Sequence, residues 1–268
     1  MIRPSPVHRR ATACAGRARQ DRDDILIVVA ERGHGPRPDR HLTPQDHAEA
    51  HRLPVLRATE FLEGRTLLRW VLGQAVGLDE NVTVVRRPGG KPELAEAPWL
   101  GISVSHTRKL FAVALARGRA VGLDVEPPVC PGPGLIRRCC GPDDRGRMDT
   151  LSPSQRARAF GVIWTVQESC LKATGDGVRG RPGRVPVTVG QRQGRWAGYV
   201  WRSLPRLVGE AAAVAVSAAP SPPRRIRIVP LPGGVRAERA FSFGPLRPVR
   251  RHDMGGHEPM NQHGGCDD

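Results

Sequence analysis

The chain has 268 residues and a formal net charge of +16, with 39% apolar and 4% aromatic residues. This length suffices for one large domain or two small ones with a sizeable core, and the charge favours an acidic partner. Scarce aromatic residues give little support for the base stacking of single-strand nucleic-acid binders. The apolar run 25–30 is too short for a signal peptide or a membrane span, so we expect neither.

Composition divides the chain into a central body and two tails. Residues 1–22 include six Arg, and residues 220–268 are rich in Pro, Gly and Arg, so we predict that both tails are disordered. The body is then 23–219. The six cysteines show neither a CxxC pair nor a zinc-like spacing, which indicates reduced thiols in a cytoplasmic protein.

The first half of the body is 23–126. A buried strand is predicted at 25–30, and Thr43 as N-cap with Pro44 behind it predicts a helix start. Apolar residues at helical spacing predict a long helix from Thr59 to Val76. Alternation of apolar and polar residues predicts a strand at 81–87. Three further strand-like runs, at 101–105, 110–115 and 121–126, are expected to form a meander.

The second half, 127–219, begins with a stretch rich in Pro and Gly that marks a crossing between the halves. Ser152 opens a capping box that predicts a helix ending at Gly175. Strands are predicted at 185–189, 196–201 and 212–217. Each half thus has a long helix followed by about three strands, which predicts an α+β fold of two similar halves.

Two short runs carry the chemistry. Asp124 and Glu126 lie two apart on a predicted strand, so their carboxylates project from one face. Glu168 and Lys172 lie four apart on the second long helix, again on one face. Three carboxylates and an ammonium suit Mg²⁺ and a pyrophosphate, because hard divalent ions bind carboxylates and share a substrate's phosphate oxygens. The pattern predicts phosphoryl transfer at a metal site.

Lysine is rare, since 39 of the 42 Lys and Arg residues are Arg. Ammonium is a compact point charge whereas guanidinium is a planar fork, so a retained lysine favours a position where that geometry matters. The three lysines are Lys91, Lys109 and Lys172.

Two further places suit a phosphate. Ser105 and His106 close a predicted strand just before Lys109, where phosphate oxygens would meet a hydroxyl, an imidazole and a cation. A capped turn with a surface histidine is the alternative there. Arg65 and Arg69 share one helix face and either bind phosphate or extend along apolar surface.

The sequence resembles the 4'-phosphopantetheinyl transferases of the long, surfactin-synthetase-activating type. Over about residues 42–190, five runs follow the order of the motifs in that family. These are Arg65–Arg69, Gly90–Pro92, Ile102–His106, Val121–Glu126 and Trp164–Gly175.

This resemblance implies transfer of the phosphopantetheine arm of coenzyme A to a serine hydroxyl, releasing adenosine 3',5'-bisphosphate. The acceptor would be an acyl or peptidyl carrier protein of polyketide, nonribosomal peptide or fatty acid synthesis. By analogy, Asp124, Glu126 and Glu168 would hold Mg²⁺. Glu168 or a water would take the serine proton, and Lys172 would stabilise the pyrophosphate as it breaks.

The same resemblance implies that Arg65, Ser105 and His106 grip the 3'-phosphate and that Lys91 lines the coenzyme A cleft. The implied fold is a pseudo-dimer of two α+β halves, with the active site in the cleft between them, and we expect a monomer. Two departures stand out. Gln167 replaces a common Lys, and the pair Cys139-Cys140 falls where aromatic residues are frequent.

Two other functions fit part of the sequence. Acidic pairs, a nearby lysine and basic charge also occur in Mg²⁺-dependent nucleases, although Lys172 lies four residues beyond an acid on a helix rather than two on a strand. An Arg-rich nucleic-acid-binding module with structural carboxylates is the non-enzymatic alternative. We expect neither nucleic acid nor membrane to be the partner.

Overall fold

The computed structural model describes residues 24–79, 81–128, 130–176, 181–204, 206–207, 209–217, 223 and 225–231. The helices in these ranges are α1 (Pro44–Ala50), α2 (Val55–Val71), α3 (Pro133–Cys139), α4 (Pro142–Asp149) and α5 (Pro153–Thr174). The strands are β1 (Asp24–Glu31), β2 (Val84–Arg86), β3 (Pro92–Leu94), β4 (Leu100–His106), β5 (Leu110–Arg117), β6 (Val121–Glu126), β7 (Gln193–Trp196), β8 (Tyr199–Ser203), β9 (Ala211–Ser217) and β10 (Arg225–Leu231).

Eight of these strands form two four-stranded sheets. The first sheet has the order β10-β1-β5-β4, the second has β6-β9-β8-β7, and β2 pairs with β3 in a separate ribbon. Helix α2 packs on one face of the first sheet and α5 on one face of the second, while the other two faces meet. The fold is therefore mixed α+β, in four layers of helix, sheet, sheet and helix.

Strand β5 shows why the layers stack in this way. It is almost entirely apolar, as expected for a strand covered on both faces. Val113 and Leu115 pack toward α2, whereas Ala112 and Ala114 face the second sheet. Small alanines on that side leave room for the branched residues of β6 and β9.

The predicted helix signals are confirmed. Thr43 and Asp46 form a capping box at the start of α1, and Ser152 and Gln155 form one at the start of α5. Helix α2 begins at Val55, four residues before the predicted start, because its N-cap Pro54 offers no side-chain hydrogen bond to mark the position. It continues through a π-helical turn, Leu72–Val76, and ends as predicted before a left-handed glycine.

Several sequence predictions need correction. Strand β6 does not complete a meander with β4 and β5, because it pairs with β9 in the second sheet. The predicted strand 196–201 is divided by a tight turn at Ala197 and Gly198, both of which have positive φ. Residues 185–189 are not a strand. Val185 and Val187 instead lie in irregular backbone and pack in the core against α5.

Some elements were not predicted from the sequence. Helices α3 and α4 occupy the crossing between the halves, where Pro at the first turn of each suits a helix start. Strand β10 lies within the predicted C-terminal tail and pairs in parallel with β1, so the ordered body extends beyond 219. The predicted tail 1–22 and the residues after 231 lie outside the described part. Within that part, no helix is long and apolar enough to cross a bilayer.

Candidate active site

Helix α5 and strand β6 approach each other closely enough to bring the two acidic runs together. A Cβ at Gly122 would stand 2.0 Å from the Ser169 carbonyl oxygen, so only glycine fits at this crossing. Two residues further along β6, Asp124 reaches Lys172 on α5. The glycine within Gly122-Leu-Asp124 therefore has a packing role that sets the position of the site.

The centre of the site is an ion pair between the buried Asp124 and the partly exposed Lys172. The Lys172 ammonium donates to Asp124 Oδ1 at 2.6 Å and to Ser105 Oγ at 3.0 Å. Ser105 Oγ also lies 3.1 Å from Asp124 Oδ1 and accepts the backbone N–H of Val125. These contacts join β4, β6 and α5 at one point.

The two glutamates flank this pair. Glu126 accepts a 3.3 Å hydrogen bond from the Trp164 indole N–H, and Glu168 lies half-buried one helical turn before Lys172. Burial and the charge of Asp124 raise the pKa of Glu126 to about 7. The same two causes raise the pKa of Glu168, although Lys172 opposes them.

Asp124 itself is short of compensating charge. It is only 3% exposed, and burial raises its pKa despite the opposing effects of Lys172 and Ser105. Its second oxygen, Oδ2, is buried and has no hydrogen-bond partner among the described residues. Three neighbouring carboxylates with raised pKa values and one ammonium form an under-neutralised acidic cluster, defined here as Asp124, Glu126 and Glu168.

This donor set fits a hard divalent cation by its chemistry. Carboxylate oxygens are the ligands that Mg²⁺ prefers, and Asp124 Oδ2 has a free lone pair. As the side chains stand, however, no three His, Cys, Asp or Glu residues in the described ranges are arranged to hold a metal ion. The structure therefore places the predicted ligands side by side without forming a closed cage.

A cleft of about 630 Å³ opens beside the acidic cluster, a size typical of small-molecule sites. Its apolar surface comes from α2 and β4 and includes Phe61, Leu68 and Ile102. Among the described residues its polar lining is strongly biased toward basic groups, and Glu60 is the one acid. Facing it are six basic side chains: Arg57, Arg65, Arg86, Lys91, His106 and Lys172.

Lys172 belongs both to this cleft and to the ion pair with Asp124. An anionic ligand in the cleft would thus have one end against the ammonium of Lys172, next to the acidic cluster. The geometry favours a long polyanion whose reactive group is at that end.

Most of the predicted phosphate-binding residues line the cleft. Arg65 is 5% exposed, and burial lowers the pKa of its guanidinium to about 10 against the opposing charges of Asp46 and Glu49, so it stays charged at neutral pH. His106 lies 4.0 Å from Glu60, and burial lowers the pKa of its imidazole. Neutral His106 can still donate one hydrogen bond to a phosphate oxygen.

Lys91 lies in the tight turn between β2 and β3. Its ammonium donates to the carbonyl of Ala173 at the C-terminal end of α5, and burial lowers its pKa to about 8. A Cβ at Gly89 would stand 1.6 Å from the Gly175 carbonyl oxygen, so this turn lies directly on the end of α5. Lys91 therefore both lines the cleft and fixes the helix that carries Lys172.

Three residues differ from their predicted places. The Ser105 hydroxyl does not face the cleft, because the ion pair and the Val125 amide engage it. Arg69 is fully buried and binds Asp46, so it neither lines the cleft nor extends along apolar surface to solvent. Lys109 lies outside the site, 3.9 Å from Glu210.

The departure at Gln167 also has a structural explanation. Its side chain is fully buried, and its amide donates to the carbonyls of Cys139 and Val185, away from the cleft. Cys139 and Cys140 are buried in the core between α3, α4 and α5. The Gln167 side chain therefore lies against this core and does not line the cleft.

Arg86 and Phe61 also line the cleft, although neither was predicted as a cleft residue. The guanidinium of Arg86 lies 5.6 Å from the centre of the Phe61 ring, and that of Arg65 lies 4.9 Å from it. Their only sequence signal was position, since Arg86 precedes the Gly90-Lys91 turn and Phe61 lies one turn before Arg65.

Comparisons with known proteins agree with this site. A sequence profile of the 4'-phosphopantetheinyl transferase superfamily matches residues 120–198, which include the whole acidic cluster. The 4'-phosphopantetheinyl transferase HetI of Nostoc is 32% identical over 124 residues, 44% of this chain and 52% of that protein. A holo-[acyl-carrier-protein] synthase of Geobacillus kaustophilus is 32% identical over 87 residues, 29% of this chain and 67% of that protein.

A Synechocystis protein provisionally named as a 4'-phosphopantetheinyl transferase is 28% identical over 152 residues, 54% of this chain and 56% of its own length. The chain therefore belongs to the 4'-phosphopantetheinyl transferase superfamily. It spans about half the length of relatives such as HetI and the Synechocystis protein.

Proposed function

We propose that this protein transfers the 4'-phosphopantetheine group of coenzyme A to a serine hydroxyl of an acyl or peptidyl carrier protein. The observation that carries the proposal is the basic cleft that ends at Lys172, where Lys172 meets Asp124 of the acidic cluster. Coenzyme A is a polyanion whose pyrophosphate must lie at the reacting end. The activities for which the relatives are named support the same reaction class.

In this proposal the two helix-and-sheet halves form a pseudo-dimer, and the cleft beside α2 and α5 is the active site. Arg65, His106 and Lys91 bind the 3'-phosphate end of coenzyme A. Arg57 and Arg86 add positive charge around it. Holding the ligand in this way aligns the pyrophosphate with Lys172, and positioning supplies much of the rate in phosphoryl transfer.

The reaction forms a bond between the serine oxygen and the β-phosphorus and breaks the bond from that phosphorus to the bridging oxygen. The electron pair of the broken bond leaves with adenosine 3',5'-bisphosphate. Glu168 accepts the serine proton, and its raised pKa makes it a stronger base than an ordinary carboxylate. Lys172 donates to the phosphate oxygens, where negative charge develops.

Asp124, Glu126 and Glu168 would hold a Mg²⁺ ion in this proposal. When bound, the ion neutralises charge on the pyrophosphate oxygens. Asp124 Oδ2, buried without a partner among the described residues, is the oxygen best prepared for it. In this proposal Ser105 does not contact coenzyme A. Its hydroxyl bonds both Asp124 and Lys172 and so fixes their relative position.

Intact mass spectrometry tests the proposal. Purified apo carrier proteins of fatty acid, polyketide and peptide synthesis are incubated with this protein, coenzyme A and Mg²⁺, with and without a chelator. A gain equal to one phosphopantetheine group that disappears with the chelator is expected on at least one carrier. No gain on any of them, at enzyme concentrations equal to the carrier, would contradict the proposal.

A further inference from the structure

Two acidic residues of α1 lie behind the arginines of the cleft, one helical turn apart. Asp46 Oδ1 is 3.2 Å from Arg65 Nε, and Glu49 Oε2 is 3.5 Å from Arg65 Nη2. The same Glu49 oxygen is 3.4 Å from Arg86 Nε. Neither acid lines the cleft, whereas both arginines do.

Asp46 is itself held rigidly. Its Oδ2 accepts from Arg69 Nε at 2.5 Å and from the backbone N–H of Thr43 at 3.0 Å. Arg69 Nη2 reaches the other oxygen at 3.1 Å, and both side chains are buried. Arg69 is in turn fixed by the Val82 carbonyl. This network makes Asp46 a fixed anchor rather than a mobile surface acid.

The front of each guanidinium packs on one ring. Arg65 and Arg86 both lie over Phe61, at 4.9 and 5.6 Å from its centre. The carboxylates engage Nε and Nη2 of Arg65, and none of its described contacts uses Nη1. Each arginine is thus held between a ring and a carboxylate, with part of its fork left for a ligand.

We propose that Asp46 and Glu49 are positioning residues that orient Arg65 and Arg86 toward the 3'-phosphate of coenzyme A. This inference rests on the proposed function and goes beyond it, because it assigns the specificity for that phosphate to two acids that never touch the ligand. Without them, a long arginine side chain must be ordered when the ligand binds, and that ordering lowers affinity.

The sign of the effect separates positioning from simple charge. Removing a carboxylate makes the cleft more positive, which by itself strengthens the binding of an anion. Positioning predicts the opposite, namely weaker binding after the negative charge is removed. Glu49 is the better position to test, since its side chain is 25% exposed and its loss leaves the buried Asp46 anchor intact.

The experiment is titration calorimetry of the full chain with coenzyme A and with dephospho-coenzyme A, which lacks the 3'-phosphate. Glu49→Gln is expected to weaken coenzyme A binding about tenfold and to change dephospho-coenzyme A binding by less than about twofold. The matched control is Glu63→Gln. It removes a carboxylate of similar exposure that pairs with Arg32 outside the cleft, and it should change neither affinity.

Arg65→Met completes a double-mutant cycle. If Glu49 acts partly through Arg65, the loss of affinity caused by Glu49→Gln should be smaller in the Arg65→Met background than in the wild-type protein, where Arg65 and Arg86 are both affected. Tighter or unchanged binding in Glu49→Gln overturns the inference, and so does an equal loss for both ligands. Wild-type protein that binds no coenzyme A overturns the proposed function as well, whereas normal binding in the variant overturns the positioning role alone.

Discussion

Two aspartates of this protein are almost equally buried yet have opposite electrostatic environments. Asp46 is 1% exposed, and although burial opposes it, hydrogen bonds and charge from Arg69 and Thr43 lower its pKa. Asp124 is 3% exposed, and burial raises its pKa because Lys172 and Ser105 only partly compensate. Asp46 binds two arginines, while Asp124 pairs with one ammonium, that of Lys172, whose charge also acts on Glu126 and Glu168.

This difference distinguishes a carboxylate that stabilises the fold from one that takes part in the reaction. A fully neutralised buried carboxylate stabilises the fold and holds other side chains in place. An under-neutralised one lowers stability, and such groups concentrate where a ligand or metal will supply the missing charge. By this criterion Asp46 belongs to the scaffold of the cleft, and Asp124 to the reacting centre.

The largest expected effect is at Glu168. We expect Glu168→Gln to lower turnover by about a thousandfold, because it removes both the proposed base and one anionic ligand. The rate of carrier modification at saturating coenzyme A is the measurement. Glu63→Gln is the matched control, since it replaces a partly buried carboxylate that pairs with Arg32 outside the cleft. Equal losses in both variants would contradict the assignment.

Unfolding experiments compare the two aspartates directly. Asp46→Asn should lower the free energy of unfolding by about 3 kcal/mol, because it leaves buried arginine charge uncompensated. Asp124→Asn should change it by less than about 1 kcal/mol, or stabilise the protein, since it removes an under-neutralised charge. Urea denaturation at neutral pH measures both. A larger loss for Asp124→Asn would reverse the proposed roles.

Gln167 provides a smaller test on the far side of α5. Gln167→Leu should cost about 1 to 2 kcal/mol of stability, because the carbonyls of Cys139 and Val185 lose their donor. The Michaelis constant for coenzyme A should stay within about twofold, since the side chain points away from the cleft. A large rise in that constant would show that Gln167 contacts the ligand site.

The smallest effect concerns pH. Burial lowers the pKa of Lys91 to about 8, so its ammonium is charged below that pH and neutral above it. An anionic ligand favours the charged form, and the affinity for coenzyme A should therefore fall a few-fold between pH 7 and pH 9. Lys91→Arg should flatten this dependence, because guanidinium stays charged. Calorimetry between pH 7 and pH 9 measures this dependence. An equally steep fall in affinity in Lys91→Arg would show that Lys91 is not its cause.

Much of the local structure was predictable because local chemistry fixes it. Capping boxes at Thr43 and Ser152 predicted the starts of α1 and α5. The spacing of Asp124 and Glu126, and of Glu168 and Lys172, predicted that each pair shares one face of its element. Strand pairing was less predictable. Strand β6 pairs with β9 of the second sheet rather than with β4 or β5. Strand β10 pairs with β1, although the paired residues are about two hundred positions apart in the sequence. No short-range sequence pattern indicates either partner.

The finer details of the site depended on packing. The sequence predicted Ser105 as a phosphate ligand. Because β6 lies beside β4, the Ser105 hydroxyl instead forms hydrogen bonds with Asp124 and with the backbone N–H of Val125. Gln167 reads as a lost cation, although the register of α5 buries it on the opposite side. Which face of a helix or strand meets the cleft is set by its tertiary neighbours, and sequence spacing gives only the relative positions.

The most direct test of the account is to measure ligand binding and turnover side by side in two variants. Asp124→Asn should retain coenzyme A binding within a few-fold while losing nearly all transfer to the carrier, because the acidic cluster serves the reaction. Arg65→Ala should raise the Michaelis constant for coenzyme A with turnover largely preserved, because the cleft serves binding. Loss of binding in Asp124→Asn, or loss of turnover alone in Arg65→Ala, would contradict this division of roles.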